Sequence, residues 1–282
     1  MKIIGQKNLT KLIDNQIKSG DFPRFSIIVG DYGSGKKTLA NYIIDKMKVT
    51  INYNSGISVS QIRDAITQMH KTVDKSVFTF FDADNMSAQA ENALLKVSEE
   101  TPNNVYIIMT VSDISSVLPT IKSRAIIYHI PPYSIAELLE YAHEVVKAKY
   151  DDDIISQLCE TPGEINLLYE RDAEALWEYA YKAIDNIAEV SGANAFKMAN
   201  KIDFKGDDAE KFDMQLFLKA FRQICTEKMS DAVIDDDKDN INKYGAGIDV
   251  VNHIIQQLHI TGINKSALFD MFILDCRKAW RK

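Results

Sequence analysis

The sequence predicts an α/β domain built on a parallel sheet, followed by a small helical segment and then a larger all-α region. Three observations carry that expectation. Over about the first 130 residues, short apolar runs alternate with amphipathic stretches, the pattern of buried parallel strands covered by helices. One of those runs, FSIIVG from Phe25 to Gly30, leads straight into a glycine-rich loop that opens a helix. Beyond Tyr133 no strand-like run remains, and every long segment has helical period. The expected divisions are residues 1–132, 133–171 and 172–282.

Each element has its own reason. After the FSIIVG strand and its loop, Leu39, Tyr42, Ile43 and Met47 fall on one helical face. A polar strand-like piece follows around Val49 to Asn52, and Ser58 and Ser60 offer caps for a helix from about Val59 to Lys71. VFTFF, Val77 to Phe81, reads as a buried strand ending in Asp82-Ala83-Asp84, with Ser87 as N-cap of the helix through Ser98. VYIIMT, Val105 to Thr110, and IIYHI, Ile126 to Ile130, are the remaining strands, the last closed by Pro131 and Pro132. Helices are then expected over Ser134 to Lys149 and Asp151 to Glu160, with the Thr161-Pro162-Gly163 turn opening a third. Further on come Leu176 to Ile187, Ala193 to Lys201, Gln215 to Met229 and Asp249 to Leu258. The acidic run DDDKDN, Asp235 to Asn240, reads as a solvated loop rather than a metal site.

Composition narrows the function classes. With 282 residues, 46% of them apolar and 26% charged, the chain has enough material for a substantial core, and a net charge of −7 does not advertise a strong nucleic-acid binder. The opening stretch lacks the apolar core and cleavage site of a secretory signal, and no apolar run approaches the roughly 18 residues of a membrane span, so a cytoplasmic protein without a membrane partner is expected. Cys159, Cys225 and Cys276 are far apart, which gives neither a disulfide framework nor a zinc signature; buried free thiols are expected. The five histidines form no i, i+4 ligand pair.

The loop Gly30 to Thr38, GDYGSGKKT, carries the chemistry. A strand, then G-x-x-x-x-G-K, then a helix lets successive backbone N–H groups turn toward one anion, with the helix N-terminus adding partial positive charge and a lysine reaching the terminal phosphates. Gly30, Gly33, Gly35 and Lys36 meet those requirements, with Ser34 between the last two glycines. The next position ordinarily carries a hydroxyl that ligates magnesium; here it is Lys37, which offers no lone pair when charged and repels a cation. Thr38 is one residue on, turned by about 100°, and is a poor substitute. At the acidic strand end Asp82 is followed by Ala83 where hydrolysing relatives place a glutamate, and Asp82 and Asp84 read first as loop solvation and capping. Phosphate binding is expected to survive, while normal magnesium placement and hydrolysis are not.

The segment from Phe80 to Arg124 resembles the delta-prime subunit of bacterial DNA polymerase III clamp loaders, members of the AAA+ ATPases. The matching features are the DADNM turn, the NALLK helix with Glu99, Glu100 and Pro102, the sensor-like Thr110, and LPTIKSRA, in which Ala125 replaces the cysteine of the family's Ser-Arg-Cys motif. Ile4-Gly5-Gln6 resembles the element that lies near the adenine in that family. The resemblance is dense over residues 1–132, extends through a three-helix lid to about 171, and in the remainder amounts to a helical pattern compatible with a collar domain. It implies a P-loop AAA+ domain, a lid and an oligomerising collar.

The same resemblance implies a silent ring subunit. In such rings each ATP lies at an interface to which the neighbour contributes an arginine, and Arg124 is the candidate for that trans-acting finger; the rival reading is an intramolecular salt bridge at a strand start. Asn166 stands at the likely place of the lid arginine of active relatives. The implied cofactor is ATP or ADP, bound and not hydrolysed, near Ile4, Gly30, Gly33, Ser34, Gly35, Lys36, Lys37, Thr38, Asp82 and Thr110. No zinc is expected, since no cysteine lies between Lys48 and Val77, where many relatives carry a four-cysteine module. The implied partners are other clamp-loader subunits in a hetero-pentameric ring, the sliding clamp, and primer-template DNA through its phosphates; Lys71 and Lys75 read as ordinary surface charges. Two other readings stay open: a hydrolysing loader subunit in which Thr38 or Asp84 compensates, and a nucleotide-sensing AAA+ module for helicase loading.

Overall fold

The computed structural model describes residues 3–147, 152–170, 173–187, 213–258 and 263–281. They divide into two compact units, residues 1–141 with 160–163, and residues 142–159 with 164–282. The stretch expected as a separate lid, 133–171, is thus shared between the two units, and the three-part division stands as a proposal. The helix expected over Ala193 to Lys201 lies outside the described residues.

The first unit contains helix α1 (Lys7–Ser19), β1 (Phe25–Val29), α2 (Lys36–Met47), β2 (Ile51–Ser55), α3 (Val59–Lys71) and β3 (Ser76–Phe80). After these come α4 (Ala88–Glu99), β4 (Val105–Val111), the short α5 (Pro119–Lys122), β5 (Ile126–His129) and α6 (Ile135–Tyr141). The five strands are all parallel, in the order β2-β3-β4-β1-β5. Strands buried on both faces must be apolar at nearly every position, which is why FSIIV and VYIIMTV read as continuous runs. Alternation sorts their side chains between two layers. Phe25, Ile27, Val29, Phe78, Phe80, Ile107 and Met109 pack with Ile62 and Met69 of α3 and Leu94 of α4. Ile28, Val77, Ile108 and Tyr128 face Ile13 of α1 and Leu39, Ile43 and Met47 of α2.

Local chemistry fixes several boundaries. Ser58 accepts a hydrogen bond from the Gln61 backbone while the Gln61 side chain returns to the Ser58 backbone, a capping box that starts α3 where the sequence placed it. Ser87 caps α4 in the expected way. Lys75, expected as an ordinary surface charge, donates to the Met47 carbonyl at the end of α2 (3.0 Å). The helix expected from Ser134 to Lys149 ends instead at Tyr141 and passes into a π turn, Ala142–Val146.

In the second unit that turn is followed by α7 (Asp152–Leu158), α8 (Pro162–Glu170, which straddles the division), α9 (Ala173–Ile187), α10 (Met214–Ile234), α11 (Lys238–Leu258) and α12 (Lys265–Trp280). His143 of the π turn sits 2.8 Å from Asp152 at the start of α7. The core of the long helices is aromatic: Phe217 and Phe221 of α10 meet Phe269 and Phe272 of α12, and Phe221 and Phe272 stand edge-to-face with centroids 5.0 Å apart. The acidic run 235–240, expected as a solvated loop, is a tight interhelical turn over 235–237, and its last three residues belong to α11. Asp237 accepts from the Asn240 backbone (3.1 Å) and side chain (2.7 Å), so α11 begins at Lys238, well before the expected Asp249. The three cysteines are buried free thiols, and burial pushes the Cys225 thiol up to about 12. Among the described residues no helix is long and apolar enough to cross a membrane.

Candidate phosphate-binding site

Parallel strands end together, and the loops that leave their carboxyl ends converge. Gly30 leaves β1 with its N–H on the Val111 carbonyl of β4 (3.2 Å), so the loop before α2 lies beside Ser112, and β3 next to β4 brings Asp82 to the same edge. Gly33 (φ 77°) and Gly35 (φ 89°) take left-handed conformations that a Cβ disfavours, and Gly35 is the residue from which α2 starts. Lys36 is buried, and its Nζ donates to the carbonyls of Gly30 (2.7 Å) and Asp31 (2.9 Å) and to Ser112 Oγ (3.1 Å). Burial pulls its pKa below the ordinary lysine value, against the opposing pull of Asp84, Asp82 and Asp31. Ser34 is 4% exposed, and its Oγ has no hydrogen-bond partner among the described residues. Thr38 is half-buried on the first turn of α2.

Lys37 and Asp82 are brought together. The ammonium lies 2.6 Å from Asp82 Oδ2 and 5.6 Å from the Phe81 ring centroid. Asp82 is itself left-handed (φ 54°), and its backbone N–H donates to Thr110 Oγ1 (3.0 Å), which is fully buried on β4. Thus Lys37, Asp82 and Thr110 form one connected group. Asp84, expected to cap the helix that follows, instead holds the loop after β4: Oδ1 accepts the backbone N–H groups of Ser112 (2.6 Å) and Asp113 (2.9 Å), and Ser87 caps α4. Ala83 is buried and carries no group that could act as a base.

The Ile4-Gly5-Gln6 turn is expected near the nucleotide from the resemblance, whereas nothing in the sequence marks Tyr133 or Gly163 as neighbours of the loop. Tyr133 donates from its hydroxyl to the Ser34 carbonyl (2.9 Å), and burial pushes that phenol up to about 12. The Gly5-Gln6 turn packs on the same residue: a Cβ at Gly5 would come within 3.1 Å of the Tyr133 ring, and Gln6 Nε2 donates to the Pro131 carbonyl (2.8 Å). Ile4, next to this turn, is buried. Gly163 donates its N–H to the Gly33 carbonyl (2.9 Å), and a Cβ on Gly163 would sit 2.4 Å from Gly33 Cα, so only glycine fits there. Asn166 falls in the second unit.

Arg124 lies at the other edge of the sheet. It precedes β5, whose Ile126 is level with Ser26 near the start of β1, whereas the phosphate loop leaves the far end of β1, about 13 Å away by strand rise. Its guanidinium pairs with Glu99 and donates to the Thr120 carbonyl (2.6 Å), so the intramolecular salt bridge weighed from the sequence is present. Glu91, buried on α4, accepts the Leu118 N–H (2.7 Å) and so pins the LPTIKSR segment to the NALLK helix; burial raises its pKa.

Residues 44–134 match the family described as DNA polymerase III, delta subunit. Over 176 residues the chain is 26% identical to the DNA polymerase III gamma subunit of Buchnera aphidicola subsp. Schizaphis graminum, which covers 52% of this chain and 48% of that protein. It is 25% identical over 166 residues to replication factor C small subunit 2 of Pyrobaculum islandicum, covering 53% and 52%. The chain therefore spans about half the length of these relatives. Among solved structures, a DNA polymerase III gamma subunit-related protein of Thermotoga maritima matches with a TM-score of 0.56 at 16% identity, covering 97% of this chain and 99% of that one. The RuvB Holliday junction branch migration motor of the same organism matches with a TM-score of 0.50 at 16% identity, covering 94% and 80%. The structural likenesses show the fold, a parallel sheet with a phosphate loop followed by helices, and the sequence matches are to DNA polymerase III and replication factor C subunits.

Proposed function

We propose that the chain is a non-hydrolysing AAA+ subunit of a DNA sliding-clamp loader, of the delta-prime kind, which completes a neighbouring subunit's ATP site with Arg124. Its setting would be a cytoplasmic hetero-pentameric ring that loads the clamp on primer-template DNA, gripping the duplex through its phosphates in a sequence-independent, salt-sensitive way. The similarity to clamp-loader subunits supports the class. The single observation that carries the silent role is the Lys37–Asp82 pair: the two positions that would hold a metal hold each other, and the base position beside them is Ala83. Hydrolysis needs a cation on the phosphates and an oriented water, and this arrangement supplies neither group.

The placement of Arg124 supports a role in trans. At the opposite sheet edge from its own phosphate loop it cannot reach a nucleotide held there, while it is free to meet one presented by a neighbour. Glu99 holds it meanwhile and would exchange it for phosphoryl oxygens on assembly. The test is the steady-state ATPase of a partner clamp-loader ATPase with clamp and primed DNA, adding this chain as wild type, Arg124→Ala or Glu99→Gln. Wild type and Glu99→Gln should stimulate turnover, and Arg124→Ala should assemble, by gel filtration, yet stimulate about tenfold less or worse. Equal stimulation by all three would make Arg124 structural.

A further inference from the structure

The phosphate loop fits a nucleotide and does not fit the magnesium ion that its fold class implies. Fit to the nucleotide rests on the glycine cradle, the buried Lys36, and a 96% buried Ser34 hydroxyl within the loop that has no partner among the described residues. Misfit to the metal rests on Lys37. Its ammonium engages Asp82 Oδ2 at 2.6 Å, so a cation arriving there would meet a positive charge and a carboxylate already neutralised. Asp84 has Oδ1 committed to two backbone N–H groups, and Asp31 is the remaining acid that acts on Lys36.

We infer that Lys37 is a built-in replacement for the metal, making this a magnesium-independent site for a nucleoside di- or triphosphate. A metal in a phosphate loop does two things: it bridges the start of the helix to the acidic strand end, and it offsets phosphate charge. Lys37 does both with one tethered ammonium. It stands on the first turn of α2, reaches the residue after β3, and places a second positive charge beside Lys36. Without Lys37 the loop would face Asp31, Asp82 and Asp84 with Lys36 alone, three acids against one lysine instead of two, a difference that an added cation would offset. A resident nucleotide held in this way keeps its phosphates in place with no Lewis acid or base to cleave them, which suits a subunit that assembles without turning over.

The inference deepens the nucleotide half of the proposed function and does not depend on the clamp-loader half. The experiment titrates the full chain into fluorescent N-methylanthraniloyl ADP and ATP, in magnesium chloride and separately in EDTA, and follows anisotropy. Wild type should bind with dissociation constants that agree within about twofold between the two buffers. Lys37→Ser should bind in EDTA about tenfold more weakly or worse, and recover when magnesium is added. Wild-type binding at least about tenfold tighter with magnesium would overturn the inference, and so would no binding in either buffer up to about millimolar chain. In the second case Arg124-dependent stimulation of a partner could still hold, so the two failures are separable.

Discussion

Two lysine–carboxylate pairs of nearly equal length lie in opposite environments. Lys37–Asp82, at the phosphate loop of the first unit, spans 2.6 Å with side chains 55% and 50% exposed; Lys219–Glu164, inside the second unit, spans 2.7 Å with side chains 5% and 3% exposed. Distance alone would rank them together, whereas solvent separates them. Water screens the first pair, so either charge can be redirected to a ligand at little cost. The second pair is shielded from water, and Glu164 Oε1 also accepts from Gln215 Nε2 at 2.9 Å. The Lys219–Glu164 charges are therefore structural, and the Lys37–Asp82 charges are available for chemistry.

The sharpest way to break this comparison is to remove one buried partner. Lys219→Ala removes the ammonium 2.7 Å from the buried Glu164 carboxylate and should cost about 3–5 kcal/mol of stability by urea denaturation. Replacing both residues with Met and Leu should recover much of that, short of complete recovery because Gln215 then loses its acceptor. A single-variant loss below about 1 kcal/mol would mean that water reaches the pair and that the contrast fails.

Backbone crowding gives the next largest effect. Gly163→Ala would drive a Cβ to 2.4 Å from Gly33 Cα, where neither backbone can turn aside, and should cost about 1–3 kcal/mol while disturbing the loop that Gly33 shapes. Gly245→Ala is the control in the other unit. Gly245 lies within α11, and a Cβ there would meet Met229 Sδ of α10 at an ordinary 3.7 Å, so the gain in helix propensity should raise stability by about 0.5–1 kcal/mol. Thermal denaturation of the two variants should move in opposite directions; a common direction would show that glycine entropy, not contact, governs both.

What the sequence revealed of this contrast follows from range. Strands buried on both faces, the capping box at Ser58 and the glycine loop are local patterns, and each appears where the residues alone placed it. The pairing partners are remote. Lys37 and Asp82 are 45 residues apart and Tyr133 and Ser34 are 99, so periodicity carried no sign of either contact. Lys37 was legible as a residue that repels a metal, and Asp82 as a solvated acid; that they satisfy one another required the strand order β3-β4-β1. The acidic run 235–240 misled for a different reason: carboxylates favour helix starts as well as loops, and Asp237 uses its charge to begin α11.

The smallest expected effect is the most informative. Lys37→Ala should change the stability of the chain by no more than about 0.5 kcal/mol, because an exposed pair returns little after its screening and side-chain entropy are counted. Measured beside Lys219→Ala under the same conditions, it sets two pairs of equal length about tenfold apart in energy. A larger loss, above about 2 kcal/mol, would mean that the pair braces the loop against α2 and that its geometry is a folding constraint. If the loss is as small as expected, stability gives no reason for a lysine at this position, and its effect must be sought in what the loop binds.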